Sequence, residues 1–121
     1  MIINIFGEEI ELPRRNRKLE SGALVEVTKA LETHASVAWV RRMNTGAAKI
    51  GGRFVRFGWP GCPDLIGQLT DGRFLGVEVK GPDGRLRTDQ KIFIGIIASH
   101  GGVAFVARNC SDVFENLGST L

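Results

Sequence analysis

The sequence predicts a mixed α/β domain, and three observations predict it. Two segments, 17–34 and 89–99, place apolar residues three and four apart, the spacing of a helix with one face to bury. Short apolar or alternating runs at 36–42, 53–57, 64–70, 73–80 and 103–107, broken by Gly, Pro and Asp-Gly, read as strands of one central sheet that the helices flank. At 121 residues the chain has room for one core, so a single domain over 1–121 is expected.

Taken in order, residues 2–12 alternate around Gly7-Glu8 and read as a small hairpin stopped by Pro13, so that 1–16 forms an N-terminal hairpin and basic segment. Helix 17–34 carries its stripe on Leu19, Ala23, Leu24, Val27, Ala30 and Leu31. At about 100° per residue Glu20 lies beside that stripe and Glu26 off it. In 36–42, Val37, Trp39 and Arg41 alternate against Ala38, Val40 and Arg42. Residues 44–52 are polar and glycine-rich and read as a mobile loop.

The prolines of Gly58-Trp59-Pro60-Gly61-Cys62-Pro63 break the next strand and deliver the chain to Asp64. Asp71-Gly72 supplies the positive φ of a tight turn, joining 64–70 to 73–80 as a hairpin. Thr88 is the expected N-cap of helix 89–99, which His100-Gly101-Gly102 ends. A buried strand at 103–107 follows, and Val113, Phe114 and Leu117 sit at the spacing of a terminal helix.

Composition narrows the function. Sixteen Lys and Arg against thirteen Asp and Glu leave a charge of +3, but its distribution is uneven. No acidic residue occurs from Thr33 to Pro63, a stretch holding Arg41, Arg42, Lys49, Arg53 and Arg56, and Arg14, Arg15, Arg17 and Lys18 form a second cluster. Such tracts suit a polyanion; the alternative is a solvated basic face. Cys62 and Cys110 match no paired spacing and read as reduced thiols of a cytoplasmic protein. No apolar run is long enough for a membrane span, and the missing Gly-x-x-x-x-Gly-Lys-Ser/Thr argues against a nucleotide switch.

The chemistry concentrates in Asp64, Glu78 and Lys80. On a strand Glu78 and Lys80 share one face while Val77 and Val79 take the other. Charges on so apolar a strand are costly to bury unless they bind something; the alternative is a surface ion pair. Two carboxylates converging with an amine suit phosphodiester hydrolysis, since carboxylate oxygens hold hard divalent ions and an ammonium meets developing negative charge. Taken alone, Asp64 reads as a turn or capping residue, Glu20 as a solvated helix residue and Gln90 as an ordinary first-turn residue. His34 and His100 read as helix-end residues, and Trp39 and Trp59 as packing residues.

The ordered set Glu20, Gly61-Cys62-Pro63-Asp64, Glu78-Val79-Lys80 and Gln90 resembles the PD-(D/E)xK nuclease superfamily. Arg42-Met43-Asn44-Thr45-Gly46, the Gly-x-Pro-Asp turn and the downstream Gln resemble, within it, the virus-type replication-repair nuclease (VRR-Nuc) family. The resemblance implies a restriction-endonuclease-like core, a mixed sheet flanked by helices. It also implies a metal-dependent, structure-specific DNA endonuclease acting on branched DNA such as four-way junctions, as a homodimer, in a bacterial or phage-infected cell. Glu20, Asp64 and Glu78 with the carbonyl of Val79 would hold Mg2+, for which Mn2+ would substitute; Lys80 would be the catalytic lysine and Gln90 would position it, water or phosphate. Glu26 leaves the helical ligand open between two residues. Arg41, Arg42, Asn44, Lys49 and Arg53 would bind the nucleic acid. A non-catalytic nucleic-acid-binding module is the competing function; it accounts for the basic tracts but not for carboxylates placed beside them.

Strand arithmetic makes the site testable. A two-residue Asp71-Gly72 turn would set Asp64 opposite Val79 and Leu65 opposite Glu78, with Asp64 on the wrong face. The metal site therefore requires the register to move by one. That calls for a three-residue turn with Gly72 at positive φ, or a bulge with Gly67 as its favoured place.

Overall fold

A computed structural model describes residues 14–43 and 46–119; the expected hairpin at 2–12 lies outside them. Nine elements follow in order: α1 (Arg14–Thr33), β1 (Val37–Arg42), β2 (Gly46–Ile50), β3 (Arg53–Phe57), β4 (Leu65–Leu69), β5 (Phe74–Val79), α2 (Thr88–Ser99), β6 (Val103–Ala107) and α3 (Cys110–Leu117). The central sheet has the order β1-β4-β5-β6, antiparallel except for the parallel pair β5 and β6, whose crossover carries α2. It is the mixed, helix-flanked α/β sheet that the sequence predicts.

One face of the sheet presents Leu75, Val77 and Val79 of β5 to Ala23, Val27, Ala30 and Leu31 of α1 and Val113 of α3. These are stripe positions of the first helix; Leu24 of the stripe is partly buried against the same core, and Leu19 is exposed. Pleating sends Gly76 and Glu78 to the opposite face, where α2 packs through Ile97. Strand β5 is therefore covered on both sides. His34, at the end of α1, is buried by structure rather than chemistry: its Nε2 donates to Gly118 O at 2.7 Å and its Nδ1 accepts from the Ser36 amide.

The structure departs from expectation in several places. Residues 53–57 do not join the central sheet. They pair with 46–50, within the stretch expected to be a loop, in a separate two-stranded sheet. The turn between them is Gly51-Gly52, both at positive φ, the requirement of a two-residue hairpin turn that twists with its strands. Strand β1 does not alternate simply, because a register irregularity between Val37 and Trp39 lets both Val37 and Val40 face the core and leaves Trp39 outside. Helix α1 starts at Arg14 rather than 17. Helix α2 starts one residue early, with Arg87 and not Thr88 at the N-cap, since the Gln90 side chain accepts from the Arg87 amide.

The hairpin β4–β5 takes the register that the site demands. Leu65 pairs with Val77 and Gln68 with Phe74, one step from the two-residue-turn register. The Gly72 amide donates to Leu69 O and the Leu69 amide to Arg73 O, closing a three-residue turn with Gly72 at φ 94°. Gly67 does not bulge.

Candidate active site

Asp64 directly precedes β4, and continuing the register one step outward sets it beside Glu78. The Val79 amide donates to Asp64 Oδ2 at 2.8 Å, fixing that carboxylate across the two strands. Glu78 itself is 2% exposed, which removes the surface ion-pair alternative. Its Oε1 accepts from Gln90 Nε2 at 2.9 Å and lies 4.0 Å from the Lys80 ammonium. Gln90 is held at both ends, its Oε1 capping α2 and its Nε2 on Glu78.

The Gly61-Cys62-Pro63-Asp64 turn is shaped by contact with the same helix. Gly61 has φ 82°, and a Cβ there would stand 2.7 Å from the carbonyl oxygen of Asp89. No other residue type lets this turn close on the first turn of α2. The Asp64 carbonyl accepts from the Met43 amide at 2.8 Å, so the chain leaves β1 at the site itself.

Electrostatics mark the pair further. Burial first, then the neighbouring Asp64 carboxylate, push the Glu78 carboxyl up to about 8, against the opposing charges of Lys80 and Arg87. Two carboxylates in contact offer only acceptors, so they need a shared proton or a cation between them. The other oxygen, Glu78 Oε2, is buried and has no hydrogen-bond partner. A hard cation fits that vacant acceptor: magnesium is commonly held by one or two carboxylates and completes its shell with water and substrate oxygens. The Cys62 thiol lies beside the pair; burial, then the charges of Glu78 and Asp64, push it up, so it stays protonated. The sequence offers no signal for this proximity beyond the adjacency of Cys62 to Asp64.

Asp64, Glu78, Lys80 and Gln90 thus come together. Glu20 does not join them closely: among the described residues no three acidic, Cys or His side chains form a metal-binding group. The Glu20 backbone instead borders Gly81, just past Lys80. Glu26 is engaged elsewhere, its Oε2 accepting from the Cys110 amide at 2.8 Å at the start of α3. Arg41 and Arg42 are exposed at the end of β1, and Lys49 and Arg53 on the β2–β3 ribbon. Asn44 lies outside the described residues.

The model of the VRR-NUC domain matches residues 7–109, most of the chain. The chain belongs to the VRR-NUC family. A nuclease-type function and a PD-(D/E)xK-like fold come with VRR-NUC membership. No curated protein and no solved structure gives a significant match. No helix among the described residues is long and apolar enough to cross a membrane.

Proposed function

We propose that this VRR-NUC protein is a magnesium-dependent endodeoxyribonuclease that cuts branched DNA, such as four-way junctions, as a cytoplasmic homodimer. One observation carries the metal dependence: the buried, unpartnered Glu78 Oε2 beside a second carboxylate. Asp64, Glu78 and the Val79 carbonyl, together with Glu20, are the groups that would hold the ion. Magnesium, or manganese in its place, would supply charge neutralisation at the phosphate and a water more readily deprotonated for attack on it.

The chain's own residues do the rest. Gln90 holds Glu78 in one orientation, so the carboxylate does not rotate away when phosphate approaches. The Val79 amide does the same for Asp64. Lys80, 12% exposed and 4.0 Å from Glu78 Oε1, keeps its ammonium at the edge of the pair, where it orients water or meets the negative charge that grows on the phosphate oxygens. The two antiparallel cuts that resolve a junction need two symmetry-related sites, which a twofold dimer provides.

The test is cleavage of a labelled panel of branched and linear DNAs with magnesium, with manganese and with EDTA, run beside Lys80→Ala. We expect cuts only with metal, branched DNA preferred, and Lys80→Ala retaining DNA while losing most of the rate. DNA retention without cleavage under any divalent ion would instead identify a non-catalytic binding module.

A further inference from the structure

The β2–β3 ribbon has residues that neither the core nor the carboxylate site uses. Among the described residues its strands pair only with each other, and among its described side chains only Ala48 is buried. Ile50 is 62% and Phe54 61% exposed, a poor placement for large apolar groups unless something outside the chain covers them. Lys49 pairs with Phe54, and Arg56 lies two residues further along the strand, so all three share one face. The Arg56 guanidinium stands 5.8 Å from the centre of the Phe54 ring. This face has an aromatic ring flanked by two cations, and the whole stretch from Thr33 to Pro63 has no acid to oppose a polyanion.

The ribbon's position is as informative as its chemistry. It leaves the sheet at Met43, whose amide is bonded to Asp64, and the chain returns to the site at the same Asp64. Strands of five residues extend roughly 17 Å at about 3.4 Å per residue. Laid along a duplex, that reach is about five base pairs from the phosphate at the carboxylates.

We propose that the β2–β3 ribbon is the element that senses DNA branches: Phe54 stacks on a base face exposed where the duplex is interrupted, while Lys49 and Arg56 hold the flanking phosphates. In continuous duplex each base face is covered by its neighbour, so the ring finds no partner; at a junction or flap an uncovered face is available. Charge complementarity selects a nucleic acid over an apolar protein partner. This inference rests on the proposed nuclease reading for its choice of DNA and adds the source of the preference for branches.

The test measures binding by the full-length chain in EDTA, where cleavage does not interfere. A four-way junction carrying 2-aminopurine at the crossover is compared with linear duplex of the same length. Phe54→Ala and Phe54→Leu should each weaken junction binding about 5- to 100-fold, abolish the 2-aminopurine change and leave duplex binding within about twofold. Equal effects on both DNAs, no effect on either, or restoration by Leu overturns the proposal; so does tighter binding of an RNA junction than of the DNA one. Cleavage is scored in parallel with magnesium. A protein that discriminates through Phe54 but never cuts sinks the nuclease reading alone, and one that cuts but discriminates without Phe54 sinks this one alone.

Discussion

The chain builds two antiparallel hairpins from similar lengths of strand, and they place their residues in opposite ways. Hairpin β4–β5 lies in the middle of the sheet and buries a carboxylate. Ribbon β2–β3 stands apart and exposes isoleucine and phenylalanine. Each placement is unfavourable for folding alone, since a buried charge loses solvation and an exposed apolar side chain forgoes burial. On the proposed readings a cation, in place of a shared proton, would stabilise the first and a stacked base the second. On those readings the chemistry would lie in one hairpin and substrate choice in the other, joined at Asp64.

The largest expected effect tests the buried hairpin. Glu78→Ala or Asp64→Ala should cost on the order of a thousandfold or more in magnesium-dependent cleavage, with folding and DNA retention largely intact, measured by single-turnover rates beside circular dichroism. Glu20→Gln should cost far less, because among the described residues Glu20 forms no metal-binding group with Asp64 and Glu78. Full activity in Glu78→Ala would break the assignment.

A second test uses pH and needs no substrate. Unfolded, Glu78 titrates near 4.5; folded and without metal, near 8. Between those values the folded protein holds a proton that the unfolded chain has released, so this group's contribution is complete below about 4.5 and is lost as pH rises through about 8. The effect is on the order of a few kcal/mol. The metal-free protein should therefore melt several degrees lower at pH 8 than at pH 5.5, and Glu78→Gln should flatten that slope. An equal slope in both proteins would place the strain elsewhere.

The smallest effects sharpen the other side of the comparison. Lys49→Ala, Arg53→Ala or Arg42→Ala should each lower the slope of log binding against log salt by roughly 0.9, read by anisotropy on plain duplex. An unchanged slope would return these residues to a solvated face.

The buried hairpin was the more legible of the two in the sequence. The alternation around Glu78 and the need for Asp64 to share its face were enough to require the shifted register, and Gly72 supplied the conformation that produces it. The ribbon is less legible because glycine is both a breaker and a turn-former. Gly51-Gly52 between Ile50 and Arg53 has hairpin spacing, yet the run around it lacks the apolar alternation that marks a half-buried strand, since the ribbon has little core to face. Strand β1 shows a third kind of loss: one irregular residue pair moves Val40 inward, a change that periodicity does not carry. Glu20 against Glu26 was likewise beyond the pattern, because the hydrogen bond that occupies Glu26 comes from Cys110, which is distant in the chain.

The double attachment of Gln90 has a consequence for where hydrogen sits in the resting site. Its Oε1 takes a hydrogen from the Arg87 amide, so the end of the side chain that meets Glu78 is necessarily the NH2 group. That group can only give, and Glu78 Oε1 is thereby committed to receiving. When Glu78 is neutral its hydrogen is forced onto Oε2, the atom left without a partner. The amide thus works as a reading direction imposed on a symmetric group: it makes the two oxygens of one carboxyl inequivalent, reserving one for the scaffold and leaving the other as the exchangeable end.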